Sequence, residues 1–536
     1  MLGKYNLNLN FNLYSLIESG FWALLSASFF ILSRPGLNAW YLAWICFVPL
    51  LIATRDKGAF SSFWMASLFL AIVYLFTINW ISYLAKEFLN IPYPLNHLFM
   101  GSYAFYSGIR VGIIFFCYKF LVKHSFLPDF IIFPLTFCVI WGLYPVVFAH
   151  SFAETQIVFP IALQAISIFG AMGANFVITL NSGLVFALFS GSWRRHWVLF
   201  SLGILVIISW FSYGIWQYPI WQKKQSSWPI TKFGLIQPNK KASLYKSPIE
   251  DGYSKIYPWE MSETKKLVKD NDVAFVIWPE GNTYNYSTDP AVKQSFDAYA
   301  KNLSVNLLFS EVYQKIEASG KKWFNAVVWI NSQGQEMTPY FKRMLVPFGE
   351  YTPGRFLLDP LLGLFNQSLP GLTAGKDFNH FKNKIATIIP VICYEGIFSE
   401  HLAEAANVDI KKRLFVLVSQ DGWYDSKHQV YEHSFSSMLR AIENKIPLLH
   451  VVQNGFSSIV FPSGDYRLLT NYQERGSAVV EIPLAPDVKK TFFTRYPHLF
   501  LNTIRIIFGL MAGLALLKYY KGLYSEHNHR KNFYKK

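Results

Sequence analysis

The sequence predicts a multi-span α-helical membrane domain, then an extracytoplasmic α/β or layered α+β domain, then one last membrane helix. The chain of 536 residues is 52% hydrophobic and only 15% charged, which is too apolar for an ordinary soluble protein. Apolar runs of roughly 20 residues, the length that crosses a bilayer, fill the chain up to about Trp216. From Tyr218 to about Arg495, short β-rich runs alternate with amphipathic stretches, and a final apolar run follows.

We predict seven spans before the soluble domain and one after it. They lie near residues 13–32, 39–53, 60–84, 97–122, 128–148, 161–190, 196–217 and 499–518. The predicted domains are a membrane domain (1–217), a soluble domain (218–495), a C-terminal transmembrane helix (496–518) and a basic tail (519–536). Arg110 lies in the middle of the fourth run. Either it is a functional charge inside the membrane, or that run is a surface segment followed by a shorter span.

Basic residues on one side of these spans predict the orientation. The loops and tail on that side carry Arg55, Lys57, Lys119, Lys123, Arg194, Arg195 and the lysines from Lys518 onward. The opposite loops carry little more than Arg34 and Lys86. The positive-inside rule therefore places both termini in the cytoplasm and residues 218–495 outside it. These loops explain the net charge of +16, and we expect no nucleic-acid binding because no basic-aromatic module accompanies the charge.

Nine short runs in the soluble domain are strand candidates. They are Lys232–Ile236, Val273–Ile277, Val305–Phe309, Ala326–Ile330, Ile385–Ile392, Leu414–Val418, Leu448–Val452, Ser457–Phe461 and Ala478–Ile482. Their alternation with amphipathic stretches is what favours a layered α/β domain. Pro390 inside one of them indicates an edge strand or a bulge, because proline cannot donate to a sheet.

Cys393 is the candidate nucleophile. The other three cysteines, Cys46, Cys117 and Cys138, lie inside apolar spans, so Cys393 is the one thiol of the soluble domain. Unpaired cysteines in an oxidising compartment are usually bridged or lost. Two interpretations stay open at this point: a nucleophile at the end of a strand, or a buried cysteine that only fills the core.

Glu280 and Lys342 could activate such a thiol. Glu280 follows the strand run VAFVIWP as Cys393 follows IATIIPVI. If those strands are parallel neighbours, both side chains emerge at one sheet edge, where open α/β sheets build their sites. A glutamate can take the thiol proton, and a lysine can lower the thiol pKa and stabilise an oxyanion. The alternative for each residue alone is a solvated surface charge.

His428 and His433 are near neighbours in the sequence. No helix face or carboxylate completes a metal site with them, so we interpret them as surface histidines. We therefore expect neither a metal nor a cofactor.

Several motifs together resemble the nitrilase superfamily. They are WPEG (Trp278–Gly281), YFKRMLVPFGEY (Tyr340–Tyr351), CYE (Cys393–Glu395), SQDGWY (Ser419–Tyr424) and LRAIE (Leu439–Glu443). The resemblance implies an αββα sandwich with a Glu-Lys-Cys triad of Glu280, Lys342 and Cys393. A nitrilase-like domain held between seven spans and one more span is similar to the membrane-embedded apolipoprotein N-acyltransferase family.

That resemblance implies an acyl transfer in the bacterial inner membrane, with the catalytic domain in the periplasm. Cys393 would take an acyl chain from a phospholipid as a thioester and pass it to the amine of diacylglyceryl-cysteine on an apolipoprotein. Glu350, Tyr394, Glu395 and Trp423 match positions that support or line the site. His450 and Gln453 depart from the family pattern, so a divergent paralogue with another acceptor remains an alternative. Further alternatives are a membrane-tethered amidase with the same triad and a non-catalytic lipid-binding scaffold.

Overall fold

A computed structural model describes residues 13–242, 254–354 except 282, 284 and 319, and 371–533. Within these ranges the chain forms a helical domain, a two-sheet α/β domain and a long C-terminal helix. The helices of the first part are α1 (Leu13–Ser33), α2 (Val48–Thr54), α3 (Ala59–Thr77), α4 (Trp80–Glu87), α5 (Leu95–His124), α6 (Asp129–Leu143), α7 (Ile166–Ser190) and α8 (Trp197–Ser226).

Five described helices are long and apolar enough to cross a membrane: α3, α5, α7, α8 and the C-terminal helix. Three shorter apolar segments, Ile17–Ser33, Trp40–Thr54 and Asp129–Leu143, lie where three further spans are predicted. The predicted third span is divided, because α3 ends at Thr77 and α4 begins at Trp80. The multi-span helical architecture predicted from the sequence is thus confirmed.

Arg110 lies within a continuous helix of 30 residues, α5, and not in a surface segment before a shorter span. Its side chain is buried, its Nη2 donates to the carbonyl oxygen of Trp141, and its guanidinium carbon lies 3.6 Å from the centre of the Trp141 ring. A cation stacked on an aromatic face is partly compensated for its loss of water.

Twelve strands form two six-stranded sheets. The first sheet has the order β12-β1-β2-β3-β4-β5 and the second β11-β10-β9-β8-β7-β6. The strands are β1 (Ile230–Gln237), β2 (Phe275–Ile277), β3 (Asn306–Glu317), β4 (Gly320–Ile330), β5 (Tyr340–Phe341), β6 (Phe381–Lys382), β7 (Thr387–Ile392), β8 (Arg413–Ser419), β9 (Leu448–Val452), β10 (Ser458–Val460), β11 (Tyr466–Leu468) and β12 (Gly476–Pro483). All nine predicted strands are present. The three that the sequence did not indicate, β5, β6 and β11, have two or three residues each.

The two sheets pack face to face between two layers of helices. Helices α9 (Trp259–Asp270) and α10 (Pro290–Leu303) cover the first sheet, and α11 (Ser399–Ala406) and α12 (Lys427–Asn444) cover the second. In β8, Leu414, Val416 and Val418 point into the core between the sheets, whereas Phe415 and Leu417 pack with the helices. This alternation makes β8 apolar on both faces, as expected for a strand buried on both sides. The predicted αββα sandwich is therefore confirmed.

Helix α12 has no free face. A surface helix of an α/β protein is usually polar on its outer side, yet every residue of α12 from Val430 to Asn444 except Tyr431 is buried. Its inner side packs on the second sheet, and its outer side belongs to the same apolar core as α7 and the segment Phe152–Gln156 of the membrane domain. The two-sheet domain is thus joined to the membrane domain through α12.

The chain then enters α13 (Phe492–Arg495) and α14 (Leu499–Phe533). Phe493 packs against Gly170, where the backbone of α7 leaves helical geometry (φ 68°, ψ 178°). A β-carbon at Gly170 would lie 2.4 Å from the Phe493 ring, so only glycine fits there. The amide of Ala171, freed by this kink, donates to Glu443 Oε1 of α12 over 2.8 Å.

Two sequence expectations about the strands have clear outcomes. Pro390 pairs with Val416 of β8 on one side, while β6 reaches only Thr387 and Ile388 on the other, so the described part of the sheet has an edge at Pro390. The proposed parallel pairing of the Glu280 and Cys393 strands is wrong. Strand β2 belongs to the first sheet and β7 to the second, and their carboxyl ends meet across the sandwich.

Candidate active site

Cys393 directly follows β7, at the sharp turn where the short helix Cys393–Ile397 begins. Its φ is +47°, in the left-handed region that non-glycine residues seldom adopt. The residue is only 7% exposed. Burial and the neighbouring Glu280 carboxylate raise the pKa of the Cys393 thiol well above its usual range, and Lys342 partly opposes that rise. A thiol of this kind is protonated at neutral pH, so its attack on a substrate needs a base.

Glu280 is placed to be that base. Its carboxylate is buried and lies beside the Cys393 thiol, whose pKa it raises. Oε1 also accepts from Asn325 Nδ2 (2.7 Å), and Oε2 from the backbone amide of Gln420 (2.9 Å). Burial raises the pKa of Glu280 while Lys342 lowers it, and the net direction is upward. A raised carboxyl pKa brings the base closer to the pH at which it can exchange a proton with a thiol or an amine.

Lys342 supplies the cation of the site. It directly follows β5, its side chain is 1% exposed, and its Nζ lies 2.9 Å from Glu350 Oε2 and 3.7 Å from Glu280 Oε1. Burial would lower its pKa, but Glu350, Glu280 and Cys393 raise it overall, so Lys342 stays an ammonium. Glu350 is held in turn by the amide of Val346 (2.8 Å).

Asn325 joins the two carboxylates and was not singled out by the sequence. Its Nδ2 donates to Glu280 Oε1 and to Glu350 Oε1, both over 2.7 Å. The residue stands in β4, one position before the predicted strand Ala326–Ile330. A lone amide in the otherwise apolar run WFNAVVWI was the available signal.

Glu395 is buried beneath the turn that carries Cys393. Its carboxylate accepts hydrogen bonds from Tyr340 Oη (2.9 Å), from the amide of Arg343 (2.7 Å) and from the amide of Ile392 (2.9 Å). It thereby ties the strand that ends at Cys393 to the segment that carries Lys342. Glu395 therefore fixes the turn at Cys393, the candidate nucleophile two residues before it.

The interpretation of His433 as a surface histidine is wrong. It is buried in α12, with Nδ1 2.9 Å from Asp421 Oδ1 and Nε2 3.3 Å from the carbonyl oxygen of Cys393. Asp421 raises the pKa of His433 against the effect of burial. His450 completes a buried cluster with them, and burial lowers its pKa to about 3. A carboxylate therefore does lie beside His433 and His450, and both nitrogens of His433 are within hydrogen-bond distance of oxygens.

His428 is partly exposed, unlike His433. Its side chain is 27% exposed, and Nε2 lies 3.0 Å from Glu432 Oε1. The sequence signal missed here is the spacing of four residues between Glu432 and His428, which places both on one side of a helix.

A cleft of about 400 Å³ opens beside Cys393. One wall comes from the two-sheet domain, with Tyr394, Ile397, Tyr424 and Glu432. The other comes from the membrane domain, with Trp80 of α4 and residues 148–150. Tyr394 closes the seam, since its hydroxyl donates to the carbonyl oxygen of Val147.

Tyr394 thus lines the cleft as the sequence motif suggests, but Trp423 is not among the lining residues. Its ring packs on Phe88 at the junction of the two domains, 4.7 Å between centroids. Of the two neighbouring rings, it is Tyr424 that lines the cleft, where it contacts Trp80 edge-on.

Two protein families match this chain, and each match corresponds to one of the two domains. Residues 254–486 match the carbon–nitrogen hydrolase family, which extends over most of the two-sheet domain. Residues 26–184 match the N-terminal domain of apolipoprotein N-acyltransferases, which is the membrane part. Soluble amidases lack a membrane domain, so the additional match of the N-terminal part distinguishes this chain from them. The chain belongs to the apolipoprotein N-acyltransferase family.

Curated apolipoprotein N-acyltransferases match over most of their length. The protein of Geobacter metallireducens is 23% identical, over 89% of this chain and 91% of its own. That of Bdellovibrio bacteriovorus is 24% identical, over 92% and 94%, and that of Shewanella oneidensis 22%, over 78% and 80%. Among solved structures, an amidase from Nesterenkonia sp. AN1 aligns with 51% of the chain at 16% identity and a TM-score of 0.36.

Proposed function

We propose that this chain matures bacterial lipoproteins by N-acylation, with Cys393, Glu280 and Lys342 as its catalytic triad. The observation that carries the proposal is the two-domain cleft: Cys393 opens onto a space whose second wall is the membrane domain. Both substrates of such a reaction, a phospholipid donor and a diacylglyceryl apolipoprotein acceptor, are anchored in the membrane by acyl chains. Family membership supports the same assignment.

In the first half-reaction Glu280 takes the proton of the Cys393 thiol as the sulfur attacks the ester carbonyl of the phospholipid. The ammonium of Lys342 stabilises the tetrahedral oxyanion, together with a backbone N–H beside Cys393. Collapse of that intermediate breaks the ester bond, and Glu280 gives its proton to the leaving oxygen of the lysophospholipid. The acyl chain then remains on Cys393 as a thioester.

In the second half-reaction the acceptor amine attacks the thioester carbonyl, and Glu280 takes a proton from the attacking nitrogen. The carbon–sulfur bond breaks, an amide forms, and the thiol regains its proton. Tyr394, Tyr424 and Trp80 line the cleft with Cys393, and these aromatic walls limit the access of water to the thioester until the amine arrives. Protection of this kind favours transfer over hydrolysis.

We also propose that the chain spans the inner membrane with the catalytic domain in the periplasm and both termini in the cytoplasm. The distribution of basic residues between the two sets of loops supports this orientation.

The test is mass spectrometry of lipoprotein N-termini in cells with and without the chain. We expect triacylated N-termini with the wild-type protein, and diacylated N-termini with a free amine when Cys393→Ala replaces it. Equal acylation in the two strains would refute the proposal.

A further inference from the structure

A buried carboxylate that the triad does not use lines the cleft beside Cys393. It belongs to Glu432 of α12, whose side chain is 2% exposed. Glu432 Oε1 accepts from Arg34 Nε (2.8 Å) and lies 3.0 Å from His428 Nε2. Glu432 Oε2 receives no hydrogen bond from any described residue. The pair with Arg34 links the membrane domain to α12, but it accounts for only one of the two carboxylate oxygens.

Around Glu432, two buried carboxylates share one arginine and two histidines among the described residues. Glu154, 1% exposed, is a second buried carboxylate nearby, and its Oε2 also receives no hydrogen bond. His150 lies between the two, 3.6 Å from Glu154 Oε2 and 3.9 Å from Glu432 Oε2, and lines the cleft. Arg34 is the one described lysine or arginine that pairs with either carboxylate. Buried charge is costly unless a partner compensates it, so this end of the cleft suits a cation.

Glu432 is in the right state to bind such a cation. Burial would raise its pKa, but Arg34 and the neighbouring histidines lower it overall. The carboxylate therefore stays ionised at neutral pH, and an ionised acceptor makes the stronger hydrogen bond with an ammonium group.

We propose that Glu432 binds the ammonium group of a substrate and positions that substrate beside Cys393. This inference rests on the proposed function, which supplies two sources of a primary ammonium group. One is the α-amine of the acceptor, held in the cleft before it loses a proton and attacks. The other is the head group of an ethanolamine phospholipid, held while its ester faces the thiol. In both cases Glu432 is a specificity-determining residue that takes no part in bond breaking.

The first experiment measures binding by a chain that cannot react. Full-length Cys393→Ala protein in phosphatidylglycerol nanodiscs is titrated with a diacylglyceryl-cysteine peptide carrying either a free or an acetylated amine. We expect the free amine to bind ~10–100-fold more tightly, the range for a hydrogen bond to a charged group. Adding Glu432→Gln should bring that ratio close to one.

Two further variants make the result interpretable. Glu443→Gln removes another fully buried, arginine-paired carboxylate of α12 that does not line the cleft, and it should keep the ratio of the Cys393→Ala parent. If Glu432→Gln leaves Arg34 unpaired and the protein unfolds, the double variant Arg34→Met/Glu432→Gln removes both charges. The double variant should likewise bring the ratio close to one.

The second experiment tests the donor with Cys393 intact. The rate of acyl-cysteine formation is compared for phosphatidylethanolamine and phosphatidylglycerol with matched chains. If Glu432→Gln abolishes a preference for ethanolamine lipid and the peptide ratio stays unchanged, the bound ammonium is the donor head group. If neither ratio responds to Glu432→Gln, the inference is wrong. Absence of any acyl adduct on Cys393 would refute the proposed function instead, while the binding experiment would still test Glu432.

Discussion

At the residue scale, the central feature is a thiol that its surroundings keep protonated. Burial and Glu280 raise the pKa of Cys393, and burial also raises that of Glu280. We propose that neither group is reactive alone, and that the thiol proton passes to the Glu280 carboxylate as the sulfur attacks. Lys342 sets the balance, since it is the cation that lowers both pKa values.

Replacing Lys342 by methionine should shift the pH dependence of Cys393 reactivity. Glu280 must be ionised to accept the thiol proton, so reactivity falls as the pH drops through the pKa of Glu280. Without Lys342 that pKa rises further, and the acid limb should move to higher pH by about one unit or more. The measurement is the rate of Cys393 alkylation by iodoacetamide against pH. Lys382→Met, an exposed lysine of β6, is the control, and an unmoved limb in Lys342→Met would contradict the account.

Asn325→Leu should slow acylation of Cys393 by ~10–100-fold, because it removes the shared donor that holds Glu280 and Glu350 in place. Single-turnover formation of the acyl-enzyme measures this. Asn331→Leu at the end of the same strand lies outside the site and should react at the wild-type rate. Equal rates for the two variants would show that Asn325 has no positioning role.

At the element scale, the site is built where strand ends from two different sheets meet. Strand β2 delivers Glu280, β5 delivers Lys342, and β7 delivers Cys393. The short strand β5 is held to the Cys393 turn by Glu395, which accepts from Tyr340 and from three backbone amides. The position of Lys342 relative to Cys393 therefore depends on the buried carboxylate of Glu395.

Glu395→Gln should destabilise the catalytic domain by about 2–3 kcal/mol at neutral pH, because hydrogen bonds to a charged group are replaced by weaker or unsatisfied ones. Although burial opposes ionisation, His401 and the amide of Ile392 lower the pKa of Glu395. Its contribution is thus present above about pH 4.3, the unfolded value, and is lost as the pH falls through the lower folded value. The measurement is thermal unfolding as a function of pH. The control is Glu404→Gln, which removes an exposed ion pair with His498 and should change the free energy of unfolding by under about 1 kcal/mol.

The elements themselves were largely predictable, and their arrangement was not. Apolar runs bounded by polar residues located nine of the twelve strands, whereas a two-residue strand such as β5 carries no periodicity to detect. The apolar residues that precede Glu280 and Cys393 do not indicate whether their two strands belong to the same sheet or to two sheets that face each other across a core. Trp423 was assigned to the site and Tyr424 was not. Which of these two neighbouring rings faces the cleft is decided by packing against the membrane domain, which the sequence does not show.

At the scale of the whole molecule, α12 is the element that unites membrane domain and catalytic domain. It packs on the second sheet with one side and on the membrane domain with the other, and it carries both His433 and Glu432. This second partner also explains why His433 was misread as exposed: the sequence shows polar residues on α12, but not that a second domain covers them.

The proposed orientation predicts opposite results from two reporters. Green fluorescent protein fused after Lys536 should fluoresce, since it folds in the cytoplasm, and alkaline phosphatase fused after Pro229 should be active, since it needs the periplasm. The physical reason is the excess of lysine and arginine in the loops on the side of the termini. A dark C-terminal fusion with an inactive phosphatase fusion would reverse the assigned orientation.

The central claim is that the acyl chain passes through Cys393, and one measurement tests it directly. The purified full-length protein is incubated with a phospholipid labelled in its acyl chain, digested and examined by mass spectrometry, before and after treatment with hydroxylamine. The account predicts a hydroxylamine-sensitive acyl group on the peptide that contains Cys393, and no such group in Cys393→Ala. An acyl group on another residue, or transfer to the acceptor by Cys393→Ala at the wild-type rate, would contradict it.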